Sequence, residues 1–437
     1  MRKRAFATML VLLVVSVASL VLISLQRTAF RHAAVGRDVV ARTNAYWAAR
    51  AGVETVIAQI AFETESEPTG DALTLTTDLA AISEGEFQSS SYVIVHSSLG
   101  RFFFGPEDPH MKINVNRMSI DDLMELPNMT EDVAGAIVDW IDADEIINEF
   151  GAEAAYYLQN ESPYLPRNGP VRTLQELELV VGVNPTLLRG EDWNLNGQLD
   201  PNENDGDVTF PPDDEDGRLD AGWSMFITAE SVEGTLTPDG LPKLDLTTAD
   251  NSSLTDRVER LTSLQATALL QWAQRGGDQD GQPRIEQLVA NRLRDLAEDA
   301  GVENAENVPD LDDAQLRQAL DELTISAGQG GLVPGRVNLN TVERETLDYL
   351  SGIPSGQADM LIYLRDRQPG GFTSWVDVGR AMRPQSVESL SQILTLESTA
   401  FVVTARGIDA NTGVEVEISA TIERTGLPLV ISEMMVR

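Results

Sequence analysis

Uncharged and mostly apolar residues run without a break from Ala5 to Gln26, directly after Arg2, Lys3 and Arg4. A helix over this run is long enough to cross the ~30 Å hydrocarbon core of a bilayer. Beyond it, Phe30, Ala34, Val39, Ala45, Ala48, Val53, Ile57 and Ile60 recur at helical spacing. One helix is therefore expected over 6–62, with its membrane-spanning part at 6–26. An ordinary secretory leader has a shorter apolar core followed by a small-x-small exit. Here the small residue, Ala5, precedes the run, and no turn follows it. A plain single-pass anchor and a leader cut at its basic end both fit this arrangement. Arg27, Arg31, Arg37 and Arg42 flank the outer end as well, so the charge bias gives little guide to orientation.

After the polar link "ETESEPTGDA", the runs "SSYVIVHSS" and "RFFFG" alternate or carry aromatics, as strands do. Residues 63–110 thus form the first part of a sheet. The pattern turns helical over 111–190, breaks into an acidic Gly/Pro/Asn-rich segment at 191–222, and becomes helical again over 223–334 and 335–396. The strand-like "SMFITAE" stands at the start of the first of these. Residues 397–437 alternate again, with Asn411-Thr412-Gly413 between two β-rich runs, which reads as an antiparallel hairpin or meander. Strands near both ends and helices between them predict an α+β fold. It would consist of a long N-terminal helix, a small antiparallel sheet and a large helical insertion.

The insertion repeats itself. "KINVNRMSIDDLMELPNM" and "RVNLNTVERETLDYLSGI" share a basic residue, an alternating apolar/Asn run and matched leucines, Leu123 and Leu126 against Leu347 and Leu350. "KLDLTTADNSSLTDRVERL" keeps the same opening and reads as a decayed third copy, with Leu254 in the place of Leu123. Each copy looks like two short helices joined by a tight turn, a helix-hairpin-helix (SAM-like) unit. Such hairpins commonly hold DNA phosphates, and a membrane-anchored DNA-uptake receptor is the alternative this raises. The first copy, however, is followed by Asp121, Asp122, Glu125, Glu131, Asp132, Asp139, Asp142, Asp144 and Glu145, with Lys112 and Arg117 the nearby cations. DNA affinity rests on cations that neutralise phosphates. A packing and protein-contact role fits better, without nucleic acid.

Composition points the same way. The 437 residues carry a net charge of −37, which opposes contact with phosphates or anionic headgroups. There is no cysteine, and the three histidines are too few and too scattered for a triad or a histidine metal site. The stretch "GQGGLVPGR" lacks the Lys-Ser/Thr of a phosphate loop, and no G-x-S-x-G occurs. No enzyme is expected.

One chemically specific motif lies in the acidic segment. "DWNLNGQLDPNE" matches D-x-[DN]-x-[DN]-G-x₅-E at Asp192, Asn194, Asn196, Gly197 and Glu203. Calcium takes six to eight hard oxygens, and alternating side chains can curl around it. Gly197 permits the turn, the Gln198 carbonyl adds a ligand, Asp200 acts directly or through water, and Glu203 closes the cage. Pro201 and the polar run after Glu203 argue against an exiting helix. Downstream, Asp214, Asp216 and Asp220 offer a D-x-D-G-x-x-D pattern for a second ion, without an obvious first ligand.

The basic leader, Ala5, Phe6 and the apolar helix together resemble a type IV pilin-like leader. That resemblance implies cleavage after Ala5 by a prepilin peptidase, with residues 1–5 lost and the helix retained. "KINVNRMSIDDLMELPNM…DWIDAD…GAEAAYY…YLPRNGPVRTLQELELVVGV" closely resembles the minor pseudopilin K family of type II secretion systems. Pilins and most pseudopilins carry a Glu five residues into the mature chain. That family lacks it, and here the position is Leu10. The resemblance implies a non-enzymatic protein of the inner membrane with its bulk in the periplasm. It also implies a tip complex with pseudopilins I and J that seeds the major pseudopilin fibre, and calcium-binding loops. An ionised Glu in the bilayer core costs roughly 2.5–3.5 kcal/mol on insertion scales unless partnered, so a subunit with Leu10 suits a position with nothing above it.

Overall fold

The computed structural model describes residues 2–66, 73–98, 101–234, 237, 241–275, 283–325 and 332–437, with side chains of the first helix from residue 9 onward. That helix, α1 (Arg2–Ser66), is one unbroken rod extending a few residues past each expected end. Its stretch from Met9 is long and apolar enough to cross a membrane, and its most apolar window buries nothing against the rest of the protein. Exposure persists through Val40, and burial begins at Ala41. The division follows the side chains. Up to Gln26 uncharged, mostly apolar residues surround the helix, as lipid requires, and from Arg27 to Val40 the exposed helix carries Arg27, Arg31, Arg37 and Asp38 among its apolar residues. Beyond it Ala45, Ala48, Ala49, Val53, Val56 and Ile60 form one buried stripe. The leader residues Ala5 and Phe6 lie on α1, their side chains outside the described residues.

The stripe rests on an antiparallel sheet drawn from both ends of the chain. Its strands are β1 (Glu84–Phe87), β2 (Ser90–Ser98), β3 (Arg101–Phe104), β4 (Ala400–Asp409), β5 (Glu415–Glu423) and β6 (Val430–Val436). The order is β1-β2-β4-β5-β6, with β3 paired to the far end of β2. Registers such as Ala405 opposite Ile94 and Ile418 put Ile94, Phe401, Val403, Ala405, Ile418, Ala420 and Ile422 against α1. Period-two alternation sends Val95, Arg406 and Glu417 to the opposite face. A helix not expected from the pattern, α2 (Thr74–Ala81), adds Leu79 to this core.

Residues 105–399 form the insertion, and its repeats share one plan. The opening dipeptide of each copy is a two-residue strand paired in parallel with a dipeptide that closes the lobe. Ile113–Asn114 pairs with Ile227–Thr228, Leu244–Asp245 with Leu323–Thr324, and Val337–Asn338 with Leu394–Thr395. At the second strand position Asn114, Asp245 and Asn338 each accept the N–H two residues on, from Asn116, Thr247 and Asn340. Asn116 then brackets Val171 by accepting its N–H and donating to its carbonyl, and Asn340 does the same to Phe372. The Asn residues of "INVN" and "VNLN" therefore fold the start of each lobe onto its far wall.

The first and last lobes share a single hydrophobic core, while the middle lobe, 244–325, has its own around Leu254, Leu269 and Trp272. In the first lobe a capped short helix, α3 (Ile120–Met124), is followed by α4 (Glu131–Ile141). In the last lobe the first helix is a single 3₁₀ turn, Thr346–Tyr349. Val232–Glu233 pairs antiparallel with Val333–Pro334 at the base of the middle lobe. There Arg336 binds Glu233 at 2.9 Å and Glu286 at 3.0 Å.

Candidate metal-binding loops and their seat on the sheet

The acidic segment leaves and rejoins the first lobe at one point. Gly190 and Gly222, both at positive φ, meet so closely that a Cβ on Gly190 would lie 2.1 Å from the Asp220 carbonyl oxygen. The Glu191 N–H donates to that same carbonyl at 2.6 Å. Short polar residues then let the backbone turn on its own side chains. Asp192, 3% exposed, accepts the Asn196 and Gly197 N–H groups at 3.0 Å. Asn194 Oδ1 accepts the Asn196 N–H, and Asn196 Oδ1 accepts the Gln198 N–H. Leu195 and Gly197 turn the chain through positive φ. The Asn194 and Asn196 amides donate to Asp200 Oδ2 at 2.7 and 3.1 Å. Glu203, 1% exposed, sits in a single 3₁₀ turn and accepts the Trp193 and Asp200 N–H groups.

Every member of the first predicted set is thereby in one hydrogen-bonded coil of hard-oxygen donors. Burial pushes Asp192 up to about 6 and Glu203 up to about 7, Asp192 and Asp200 adding repulsion at the latter. The coil lies against the sheet face opposite α1. Asn196 donates to Glu417 at 3.2 Å, Gln198 to the Val95 carbonyl at 3.3 Å, and Arg406 pairs with Asp200 at 3.0 Å.

The second set, Asp214, Asp216 and Asp220, is exposed and held by local turns. Glu191, which the sequence reading passed over, accepts the Asp214 and Asp220 N–H groups. Burial, with those two aspartates, raises its pKa. Its position beside Asp192 was the available signal. Three carboxylates converge in neither loop. Among the described residues the one such convergence is Asp142, Asp144 and Glu153, in the first lobe.

Residues 113–190, the bulk of that lobe, match the family model described as type II secretion system (T2SS), protein K. Among curated proteins the chain has no match. Among solved structures it is similar to a chain of the GspK-GspI-GspJ complex from the enterotoxigenic Escherichia coli type 2 secretion system. That similarity has a TM-score of 0.47 and 11% identity, over 92% of this chain and 99% of the other. The matched segment carries both the INVN opening and the YLPRN stretch that the sequence singled out. Over residues 113–190, then, the chain is similar to the type II secretion system protein K family.

Proposed function

We propose that the protein is the tip subunit of a secretion pseudopilus, retained in the inner membrane by α1 until assembly, with its bulk in the periplasm. It initiates the fibre as a scaffold and not as an enzyme. The observation that carries this reading is the division of α1 at residue 40. An apolar stem ending in a sheet-docked half is the form of a subunit that packs stem to stem. Leu10, 53% exposed on that stem, brings no buried acid that needs a neighbour's amine. The insertion at 105–399 adds bulk that a stacked shaft would have to accommodate and a terminal position would not. The similar E. coli structure is a complex with GspI and GspJ, and pseudopilins I and J are the partners proposed here, with the major pseudopilin below them and a prepilin peptidase acting at Ala5. The DNA-receptor alternative gains nothing, because the Leu126–Met129 turn of the first lobe lies between acidic helices.

Calcium belongs to the same proposal. The 192–203 coil supplies carboxylate and amide oxygens at the required spacing, and its buried acids lack a full set of counter-charges. An ion there would fix the insertion to the sheet through Asp200 and Asn196.

Immunogold labelling of overproduced pseudopili tests the position. Label at one end only is expected, as is no gain in incorporation when Leu10 is changed to Glu. Label spaced along the shaft sinks the reading.

A further inference from the structure

The length of α1 between its apolar run and the sheet carries a charge pattern that the fold does not use. Residues 27–42 hold Arg27, Arg31, Arg37 and Arg42 against a single acid, Asp38, in a chain whose net charge is −37. Asp38 is taken by Arg42 at 3.0 Å. Arg27, Arg31 and Arg37 are exposed and make no ion pair among the described residues.

Helix geometry sorts the arginines by height. With the uncharged run filling the ~30 Å core, each residue past Gln26 rises about 1.5 Å. Arg27 and Arg31 then stand roughly 2 and 8 Å above the hydrocarbon, at the level of a headgroup layer about 5–8 Å deep. Arg37, at about 16 Å, stands clear of it. Geometry also sets their side. Arg27 and Arg31 precede Ala45 and Ala49 by about five whole turns. They therefore lie on the face of α1 that higher up rests against Gly407 of the sheet. The acidic body overhangs the bilayer on that same side. Its first buried helix residue, Ala41, is about 22 Å above the hydrocarbon. That gap exceeds the Debye length of about 8 Å at physiological salt. The two arginines are thus screened from the body's acids and left to whatever lies at headgroup height.

What lies there is phosphate, which a guanidinium binds through paired N–H donors. Two guanidinium groups one turn apart on one face can grip one phosphate or two adjacent ones. A headgroup with net negative charge suits them better than a zwitterionic one, whose own cation competes for the phosphate. We propose that Arg27 and Arg31 form a clamp for anionic phospholipid, holding the stem at one depth with one face towards the lipid. The clamp rests on the reading of α1 as a membrane stem. It gives the outer arginines, which blur the charge bias of the span, a task of their own.

The test counts lipids. The full-length protein is inserted into nanodiscs of phosphatidylcholine containing a minority of phosphatidylglycerol, and the lipids still bound on release are identified by native mass spectrometry. Wild type should retain phosphatidylglycerol above its bulk share. The double variant Arg27→Gln, Arg31→Gln should lower that retention about fivefold with circular dichroism unchanged, and Arg37→Gln should leave it as it was. Arg2, Lys3 and Arg4 stay in every variant, so lipid held by them is not lost from the double variant. Equal retention in wild type and double variant overturns the clamp, and an equal fall in Arg37→Gln does so by showing a general charge effect. Displacement of the lipid by millimolar inorganic phosphate would assign the arginines to free phosphate instead. Fewer pseudopili from the double variant with unchanged lipid retention would assign them to an acid on a neighbouring stem, which also overturns the clamp. A protein that never enters the nanodisc fails the stem reading itself, whereas one that enters without lipid preference fails only this inference.

Discussion

Gly407 of β4 lies directly beneath Ala45 of α1: a Cβ on Gly407 would stand 1.9 Å from the Ala45 carbonyl oxygen and 2.5 Å from the Ala49 nitrogen. Helix backbone and strand backbone touch there with no side chain between them. Overpacking of this kind costs typically 1–3 kcal/mol when the obstacle can yield, and here it is main chain on both sides. Gly407→Ala should lower the thermal midpoint of the detergent-solubilised protein by several degrees. Gly426→Ala, with open space around it, should change it little.

The bracketing asparagines give a second expectation. Asn340, 4% exposed, satisfies the Phe372 N–H and carbonyl and also the Leu396 carbonyl. Orphaning buried backbone groups costs about 1–3 kcal/mol each. Asn340→Ala should therefore cost about 2–4 kcal/mol in chemical denaturation. Asn116→Ala, which orphans two groups at Val171, should cost less.

The Glu233–Arg336–Glu286 cluster sets an acid limit. Despite burial, the Arg336 guanidinium and its hydrogen bonds hold Glu233 down at about 2, against an ordinary 4.5, and they lower Glu286 as well. A carboxylate held low in the fold stabilises above its unfolded value, and that stability drains away as pH falls from about 4.5 towards 2. Glu233→Gln should cost about 2–3 kcal/mol at pH 7 and progressively less below pH 4, so denaturation curves of variant and parent should converge in acid.

For the acidic loop the sign is reversed. Asp192 and Glu203 are raised to about 6 and about 7, so the calcium-free fold holds protons that the unfolded chain releases. Its stability should fall as pH rises from about 4 through 7. Calcium chloride at a hundred times its dissociation constant should restore about 2.7 kcal/mol, and a chelator should remove that gain. Asp192→Asn should remove the share of the calcium-dependent rise in thermal midpoint that the 192–203 coil supplies.

Processing has a direct readout. Mass spectrometry of the mature chain should find Phe6 at the N-terminus, carrying an N-methyl group. An intact Met1 leaves a plain anchor.

The sequence revealed most where one periodicity dominates. The stem, the docked stripe from Ala45 to Ile60 and the C-terminal strands each follow a single pattern of burial, and their residues say so. The repeat was legible too, through its shared Lys/Arg-apolar-Asn opening. The parallel closure of each lobe was not, because Ile227–Thr228, Leu323–Thr324 and Leu394–Thr395 are dipeptides with no periodicity of their own. α2 was hidden by its threonines, which favour strands until Leu79 finds a core. Asp142 and Asp144 were read as acids that oppose DNA binding, and Glu153 was not singled out. Local spacing does not show that the chain returns over α4 to bury Glu153. Glu191 was missed for a similar reason, since the residues it faces lie more than twenty positions downstream.

The drawn-together base at Val232–Glu233 and Val333–Pro334 has a consequence for lineage and for engineering. Everything between those dipeptides departs and returns through a single gate, and closing a longer or shorter excursion changes the entropy only slowly with length. The intervening module can thus be trimmed or enlarged while the stem, the sheet and the fused outer lobes keep their places, provided that the face carrying Ile285, Glu286, Val289 and Leu320, which packs on the last lobe, is kept. Relatives that differ widely in size could then still fit the same socket.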